Sequence, residues 1–365
     1  MLYRKLAKPF FFRMDPERAH HLVIDGLHLA GRIPGGTALL AGLYGVPRMP
    51  ELEVDLLGIR FRHPVGLAAG LDKNAKSVKG FSRIGFSFLE VGTVTPLGQP
   101  GNDLPRLFRL PPDEALINRM GFNNDGADAM AERLSGLGRR TVPVAVNIGK
   151  NKATPNEAAA EDYRACLRKL YDHGDFFVVN ISSPNTPDLR ALQHGDELRA
   201  LLAAVGEEIG RQAAKRRSAG KPFLVKIAPD MTDEQLAYTV ETIAASGAGG
   251  IIATNTTVGR EGLTHPHARE TGGLSGRPVR SRSTEVIRSV YAQTGGKLPI
   301  IGSGGIFTAQ DAYDKIRAGA SLVEIYTSLI YRGPGVVGEI ARGLLTLMKK
   351  DGFATIGEAT GADHH

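Results

Sequence analysis

The sequence predicts a (β/α)8 TIM barrel carrying a helical arm at its amino-terminal end. Three observations carry that expectation: eight short apolar runs recur along the chain, each has a polar or glycine end, and helical patterns lie between most of them. The runs are Val65-Gly66-Leu67-Ala68-Ala69, Phe88-Leu89-Glu90-Val91-Gly92-Thr93, Val142-Pro143-Val144-Ala145-Val146-Asn147 and residues 176–181. Phe223-Leu224-Val225-Lys226-Ile227, residues 250–255, Pro299-Ile300-Ile301-Gly302 and residues 322–327 complete the set. A doubly wound open sheet is the alternative, but it rarely has such even units, and no Gly-x-Gly-x-x-Gly opens the first of them. The expected division is an amphipathic helical arm over residues 1–48, the barrel over 49–350 and a tail over 351–365.

In the arm, Asp15-Pro16-Glu17 reads as a helix start, with Asp as cap, Pro in the first turn and Glu at the positive end of the dipole. Ala19, Leu22, Val23, Gly26, Leu27 and Ala30 then recur at helical spacing until Gly31 and Pro34. Pro9-Phe10-Phe11-Phe12 precedes this helix and a second apolar stretch, residues 38–44, follows it. The arm reads either as a helical hairpin packed on the barrel or as an element lying on a membrane with basic flanks toward anionic lipid. Next, Leu52, Val54 and Leu56 alternate, Leu57-Gly58 turns, and Ile59 and Phe61 alternate back, which predicts a β-hairpin before the first barrel strand.

Between the strands, Asp233-Glu234-Gln235 and Thr308-Ala309-Gln310-Asp311 look like helix starts. The basic tract 211–221 reads as the solvated end of a helix closed by Gly220. Cys166 is the only cysteine, which excludes a disulfide framework, and its neighbours Tyr163, Leu167 and Leu170 suit a packed thiol. The net charge is +7, and residues 1–48 hold Arg4, Lys5, Lys8, Arg13, Arg18, Arg32 and Arg48 against Asp15, Glu17 and Asp25. Basic residues are not interleaved with aromatics, so nucleic acid is a poor expectation. With no apolar run of membrane-span length and no signal-peptide core, a cytoplasmic protein is expected.

If the runs are barrel strands, their ends converge on one mouth. They bring Gly70-Leu71-Asp72-Lys73, Thr93, Asn147, Asn180 with Ser183 and Asn185, Lys226, Thr254-Asn255-Thr256, Gly304-Gly305 and Tyr326-Thr327. Asn118-Arg119-Met120-Gly121-Phe122 adds a polar insert after the second strand. The inventory holds no carboxylate pair for glycoside work, no His/Asp/Glu cluster for metal and no Ser-His-Asp set. It is rich in neutral amides and hydroxyls, which suit a planar ligand with alternating N–H and C=O edges, such as a pyrimidine or a flavin. Ile301-Gly302-Ser303-Gly304-Gly305-Ile306 before Thr308, with Tyr326-Thr327 at the next strand end, suits phosphate; the competing account is that the glycines only permit tight turns. Lys226 fits a Schiff-base lysine, a lysine paired with Glu or Asp, or a fixed charge beside a cofactor, and Lys73 beside Asp72 reads most simply as a surface pair. Asn180-Ile181-Ser182-Ser183-Pro184-Asn185-Thr186-Pro187 is a turn by composition, yet Pro184 holds Ser183 in an extended backbone at a strand end.

Several long motifs resemble class 2, quinone-dependent dihydroorotate dehydrogenase: Ala68-Ala69-Gly70-Leu71-Asp72-Lys73, Glu90-Val91-Gly92-Thr93-Val94-Thr95-Pro96, residues 118–122, residues 180–187, Ala253-Thr254-Asn255-Thr256-Thr257, Gly272-Gly273-Leu274-Ser275-Gly276-Arg277-Pro278 and residues 301–306. The resemblance runs in order from about Asp15 to about Leu347. It implies an FMN enzyme of pyrimidine biosynthesis that oxidises dihydroorotate to orotate and passes electrons to a membrane quinone, ubiquinone or menaquinone. By position it assigns FMN to Ala69, Gly70, Thr93, Asn147, Asn180, Lys226, Thr254, Gly276, Gly305, Tyr326 and Thr327. It assigns substrate to Lys73, Asn118, Arg119, Met120, Gly121, Phe122, Asn180, Asn185, Asn255 and Thr256, and the catalytic base to Ser183. A serine at that position, where class 1 relatives place cysteine, and the arm itself favour class 2. His20, Arg109 and Tyr326 match positions lining the quinone tunnel. The expected location is peripheral, on the cytoplasmic side of the cell membrane. Thr186 and the loop 188–195 are candidates for proton relay or lid. A Schiff-base lyase and a basic binding module are the rival classes.

Overall fold

A computed structural model describes residues 3–193 and 195–364; Met1, Leu2, His194 of the expected lid loop and His365 lie outside the described residues. Each of the eight apolar runs forms a strand. Their β-branched and aromatic residues pack on a pleated surface that is buried on both faces. In chain order the strands are β1 (Val54–Leu56), β2 (Ile59–Phe61), β3 (Val65–Leu67), β4 (Leu89–Val94), β5 (Leu97–Gln99), β6 (Leu107–Leu110), β7 (Ala115–Asn118) and β8 (Asn124–Gly126). β9 (Val144–Ile148), β10 (Phe176–Asn180), β11 (Phe223–Ile227), β12 (Gly250–Ala253), β13 (Gly273–Gly276), β14 (Ile300–Ser303) and β15 (Leu322–Ile325) follow. The parallel strands β3, β4, β9, β10, β11, β12, β14 and β15 close a barrel in that order, β15 pairing back onto β3.

Alternation along these strands builds the barrel interior in layers. The lower layer is apolar: Phe88, Ala145, Phe176, Val178, Leu224, Ile252, Ile301 and Leu322 form one buried cluster. The expected hairpin β1–β2 closes this end, and Phe61 meets Phe88 edge-on with ring centroids 5.3 Å apart. Burying one such ring contributes about 1.5–3 kcal/mol. Two residues further along each strand, the same parity turns polar side chains inward, among them Glu90, Asn147, Asn180, Lys226 and Glu324.

Both expected helix starts are closed by reciprocal capping, Thr232 with Gln235 and Thr308 with Asp311. The helix Gly195–Arg216 stops short of the expected Gly220, because Arg217 adopts φ 51° and its N–H turns back to Ala214 O. Cys166 is fully buried and burial pushes its thiol up, so it is the packed thiol expected. In the tail, Asp363 pairs with Arg317 at 2.8 Å and Arg288 at 3.1 Å, and the His364 ring lies over Tyr291.

The arm folds as α1 (Lys8–Arg13), α2 (Pro16–Arg32) and α3 (Gly36–Tyr44). Asp15 caps α2 as expected, accepting from the N–H groups of Glu17 and Arg18 at 3.1 and 2.9 Å. The buried face differs from the expected one: Glu17, Ala19 and Ile24 are buried, whereas Leu22 and Val23 are exposed. Arg106 sets this rotation by gripping Glu17 with Nη2 at 2.7 Å and Nε at 3.1–3.2 Å. Leu27 also packs on Gly80, where a Cβ would lie 2.7 Å from Leu27 O. The insert after β4 is more than a polar loop, since β5 pairs with β8, and β6, β7 and β13 form a second small antiparallel sheet.

Candidate active site

The polar layer of the barrel is one continuous hydrogen-bonded chain. Asn180 Nδ2 donates to Thr93 Oγ1 at 2.9 Å, Thr93 Oγ1 donates to Asn147 Oδ1 at 2.5 Å, and Asn147 Nδ2 donates to Glu90 Oε1 at 2.6 Å. Glu90 Oε2 accepts from the Ala69 N–H at 2.8 Å and from Lys226 Nζ at 2.6 Å. Lys226 also lies 3.5 Å from Glu324 Oε2. Six barrel-wall side chains are thereby locked before any ligand enters, and each partner limits the rotation of the next.

The strand-end inventory missed two buried carboxyl groups, although the expectation of no glycosidase-type pair is untouched by them. Glu90 and Glu324 flank Lys226, all three buried. Glu90 stands three residues before Thr93 and Glu324 two before Tyr326, below the strand ends that form the mouth. Their signal was parity, since each lies two residues after an inward apolar side chain, Phe88 or Leu322. Burial raises the Glu324 carboxyl well above its usual range and Glu90 adds to the effect, which favours its neutral form. Burial alone would lower Lys226, but its partners, Glu90 first and then Glu324, outweigh it and raise the ammonium. Of the three roles open to Lys226, this is the paired, fixed charge rather than a free amine.

Above this layer is a cavity lined by Ala69, Gly70, Lys73, Thr93, Asn118, Met120, Gly121, Phe122, Asn180, Ser183, Asn185, Lys226, Thr254, Asn255, Thr256, Gly276, Gly305, Tyr326 and Thr327. Two of the named residues do not line it. Asn147 packs beneath, and Arg119 turns outward to Glu270 at 2.7 Å and over the Phe108 ring. Lys73 is no surface pair with Asp72, whose carboxylate instead accepts from the Lys76 and Ser77 N–H groups, each at 2.8 Å. Burial lowers Lys73 to about 8.

One wall carries the 180–187 motif. Ser183 is buried and its Oγ accepts from the Asn185 N–H at 3.2 Å. Asn185 Nδ2 donates to Asn118 Oδ1 at 3.2 Å, and Asn255 Nδ2 donates to Ser182 Oγ at 3.0 Å. Thr186 Oγ1 is buried without a hydrogen-bond partner. At the opposite end Gly305 adopts φ 71° and packs so closely that a Cβ would lie 2.5 Å from the Arg280 backbone. Thr254 Oγ1, Glu324 Oε1 and Ser328 Oγ belong to cavity-lining residues, and all three are buried and unpartnered. Orphaned polar atoms at one site call for a polar ligand.

A second, apolar cavity lies between the arm and the barrel and brings His20, Arg109 and Tyr326 together with Phe12, Ile24, Leu71 and Ile330. Tyr326 lines both cavities. Arg109 Nη1 donates to Met14 O at 2.9 Å, and burial, with Lys73 and His21, holds His20 well below its ordinary range.

The family profile for dihydroorotate dehydrogenase matches residues 51–348. The chain is 55% identical over 362 residues to the dihydroorotate dehydrogenase (quinone) of Deinococcus deserti, covering 99% of this chain and 100% of that one. It is 53% identical over 367 residues to the Deinococcus radiodurans protein of the same name, with 97% and 98% covered. The chain belongs to the dihydroorotate dehydrogenase family. Its fold agrees: a ligand-free DHODH from Eimeria tenella superposes with TM-score 0.87 at 42% identity, covering 96% of this chain and 100% of that one. The ferulenol complex of the same organism's DHODH gives TM-score 0.86 at 41% identity, with 96% of each chain covered. Within the family the chain falls in the quinone-dependent class. Among the described residues no cluster suited to a metal ion occurs, and no helix is long and apolar enough to cross a membrane.

Proposed function

We propose that the chain oxidises (S)-dihydroorotate to orotate in pyrimidine biosynthesis, with FMN in the barrel mouth and a membrane quinone as final acceptor. The observation that carries this reading is the polar chain from Asn180 to Lys226 with Ser183 on the cavity wall above it. The residues fit the cofactor. Amide and hydroxyl edges match a flavin ring, the unpartnered Thr254, Glu324 and Ser328 atoms need partners, and the Gly304-Gly305 turn with Thr327 suits its phosphate. FMN supplies a hydride acceptor when bound.

The chain's own residues do the rest. Ala69, Gly70, Thr93, Asn147, Asn180, Lys226, Thr254, Gly276, Gly305, Tyr326 and Thr327 hold the cofactor. Lys73, Asn118, Met120, Gly121, Phe122, Asn180, Asn185, Asn255 and Thr256 hold the substrate, and Arg119 contributes its backbone. The charged Lys226 opposes negative charge developing at the base of the cavity. Ser183 Oγ takes the proton from the ring carbon next to the one that loses hydride. A hydroxyl is a weak base, so its own proton must move on, and Thr186 Oγ1 is free to relay it. Lys73 pairs with the substrate carboxylate.

The arm, residues 1–48, lies on the membrane at the cytoplasmic face and admits quinone to the apolar cavity past His20, Arg109 and Tyr326. Its exposed side supports this: Leu6 is 65% exposed, Phe10 60%, Leu39 65% and Leu43 62%, beside Arg4, Lys5, Lys8 and Arg13. The test is one spectrum of the purified protein and its response to dihydroorotate. Flavin bands that bleach anaerobically and recover on adding quinone are expected; a colourless protein would refute the reading.

A further inference from the structure

Lys315, in the helix Ala309–Arg317, is fully buried, and among the described residues it has no ion-pair partner. Its Nζ lies 2.9 Å from Ser283 Oγ, 2.9 Å from Thr284 Oγ1 and 3.3 Å from Arg280 O. Proton counting favours its charged form. The Ser283 hydroxyl proton goes to Ser303 O at 2.5 Å and that of Thr284 to Arg280 O at 2.9 Å. Both hydroxyls therefore accept from the nitrogen, and only its ammonium form has a third proton for Arg280 O.

A buried charge needs a counter-charge. On Lys315's own helix, Asp311 is taken by Arg280 and by the N–H groups of Phe307 and Thr308, while Asp314 accepts from Gln310. From the facing helix Arg280 adds like charge. Burial accordingly lowers Lys315 to about 7, with Asp311 and Asp314 opposing and Arg280 assisting.

The ammonium sits directly behind the glycine turn. A Cβ on Gly304 would lie 3.1 Å from Ser283 Cβ, and one on Gly302 would lie 3.4 Å from Lys315 Cβ. Ser303 O accepts from Ser283 Oγ at 2.5 Å and from the Thr254 N–H at 2.9 Å, which together fix the Ser303–Gly304 peptide where Gly304 and Gly305 line the cavity. We propose that Lys315 is the buried counter-charge for the cofactor phosphate, a positioning residue acting through Ser283 and the Ser303–Gly304 peptide. The proposal rests on the FMN reading above.

The linkage has a definite sign. Phosphate favours the ammonium, so FMN affinity is greatest where Lys315 is protonated and falls by about tenfold per pH unit above the cofactor-free pKa. The phosphate itself is fully ionised above about pH 7 and adds no slope there. The experiment is FMN release from the full-length holoenzyme, read as flavin fluorescence on dilution between about pH 7.5 and 9, repeated with protein reconstituted with riboflavin, which lacks the phosphate. The expected result is an FMN Kd rising about tenfold or more across that window while the riboflavin Kd stays flat. Lys315→Met should weaken FMN about tenfold or more at pH 7.5, spare riboflavin and abolish the pH slope. Equal losses for the two flavins, or an unchanged FMN Kd, would overturn the proposal. If that variant does not accumulate, the wild-type profiles decide, with Ser283→Ala expected to flatten the FMN slope. Protein that holds neither flavin at any pH overturns the FMN reading itself; FMN held without a pH slope overturns only the role of Lys315.

Discussion

Lys226 Nζ stands 2.6 Å from Glu90 Oε2 inside the barrel, with both side chains buried. Glu324, on the other side of the same ammonium, makes the group a triad of one ammonium and two carboxyl groups, with burial pushing Glu324 toward its neutral form. Removing the lysine leaves Glu90 uncompensated. Lys226→Met should lose about 3–5 kcal/mol of stability and release its flavin. Urea unfolding and the visible spectrum would measure both, and a stable yellow variant would contradict the assigned role.

Glu324→Gln tests the proton. Burial raises the folded-state carboxyl, so the unfolded chain ionises first as pH rises through the usual 4.5, and the wild type loses stability above it. The glutamine variant should therefore melt higher than wild type at pH 7–8, with the gain vanishing below about pH 4.5. Equal melting temperatures across the range would show that Glu324 is ionised in the folded protein.

Ser183→Ala should keep FMN and slow its reduction by dihydroorotate by about 10² or more. Stopped-flow absorbance follows the flavin directly. An unchanged rate constant would remove Ser183 as base.

Lys73 carries a pH prediction of its own. Burial lowers it to about 8, so the ammonium that meets the substrate carboxylate is lost above that pH. KM for dihydroorotate should rise about tenfold per unit beyond pH 8, and this slope should be absent in Lys73→Met.

The arm is tested without unfolding it by Leu39→Glu with Leu43→Glu, both on the exposed side. Flavin reduction should be unaffected, whereas sedimentation with anionic vesicles and turnover with long-chain quinones should fall together. Normal vesicle binding by the double variant would place the membrane contact elsewhere.

The barrel was legible because its rule is local. Eight apolar runs with polar ends state strand, burial and strand end within six residues each. Asp15, Asp233-Glu234-Gln235 and Thr308 announced their helices for the same reason, since capping acts within two or three residues. The mouth residues followed from strand ends, and the long motifs named the family.

What stayed hidden depends on partners remote in sequence. Glu90 and Glu324 meet at Lys226 across 136 and 98 residues, and only closure of the barrel brings them together. Arg106 pulls Glu17 inward from 89 residues away and so chooses which face of α2 is buried, which helical spacing alone left open. No neighbour of Lys315 along the chain announces its burial, which packing alone imposes. The sequence by itself determined the barrel, its caps and the chemistry offered at its mouth, because those are set by neighbours along the chain. Charge state and facing were decided by the tertiary structure, because desolvation and pairing exist only once distant segments meet.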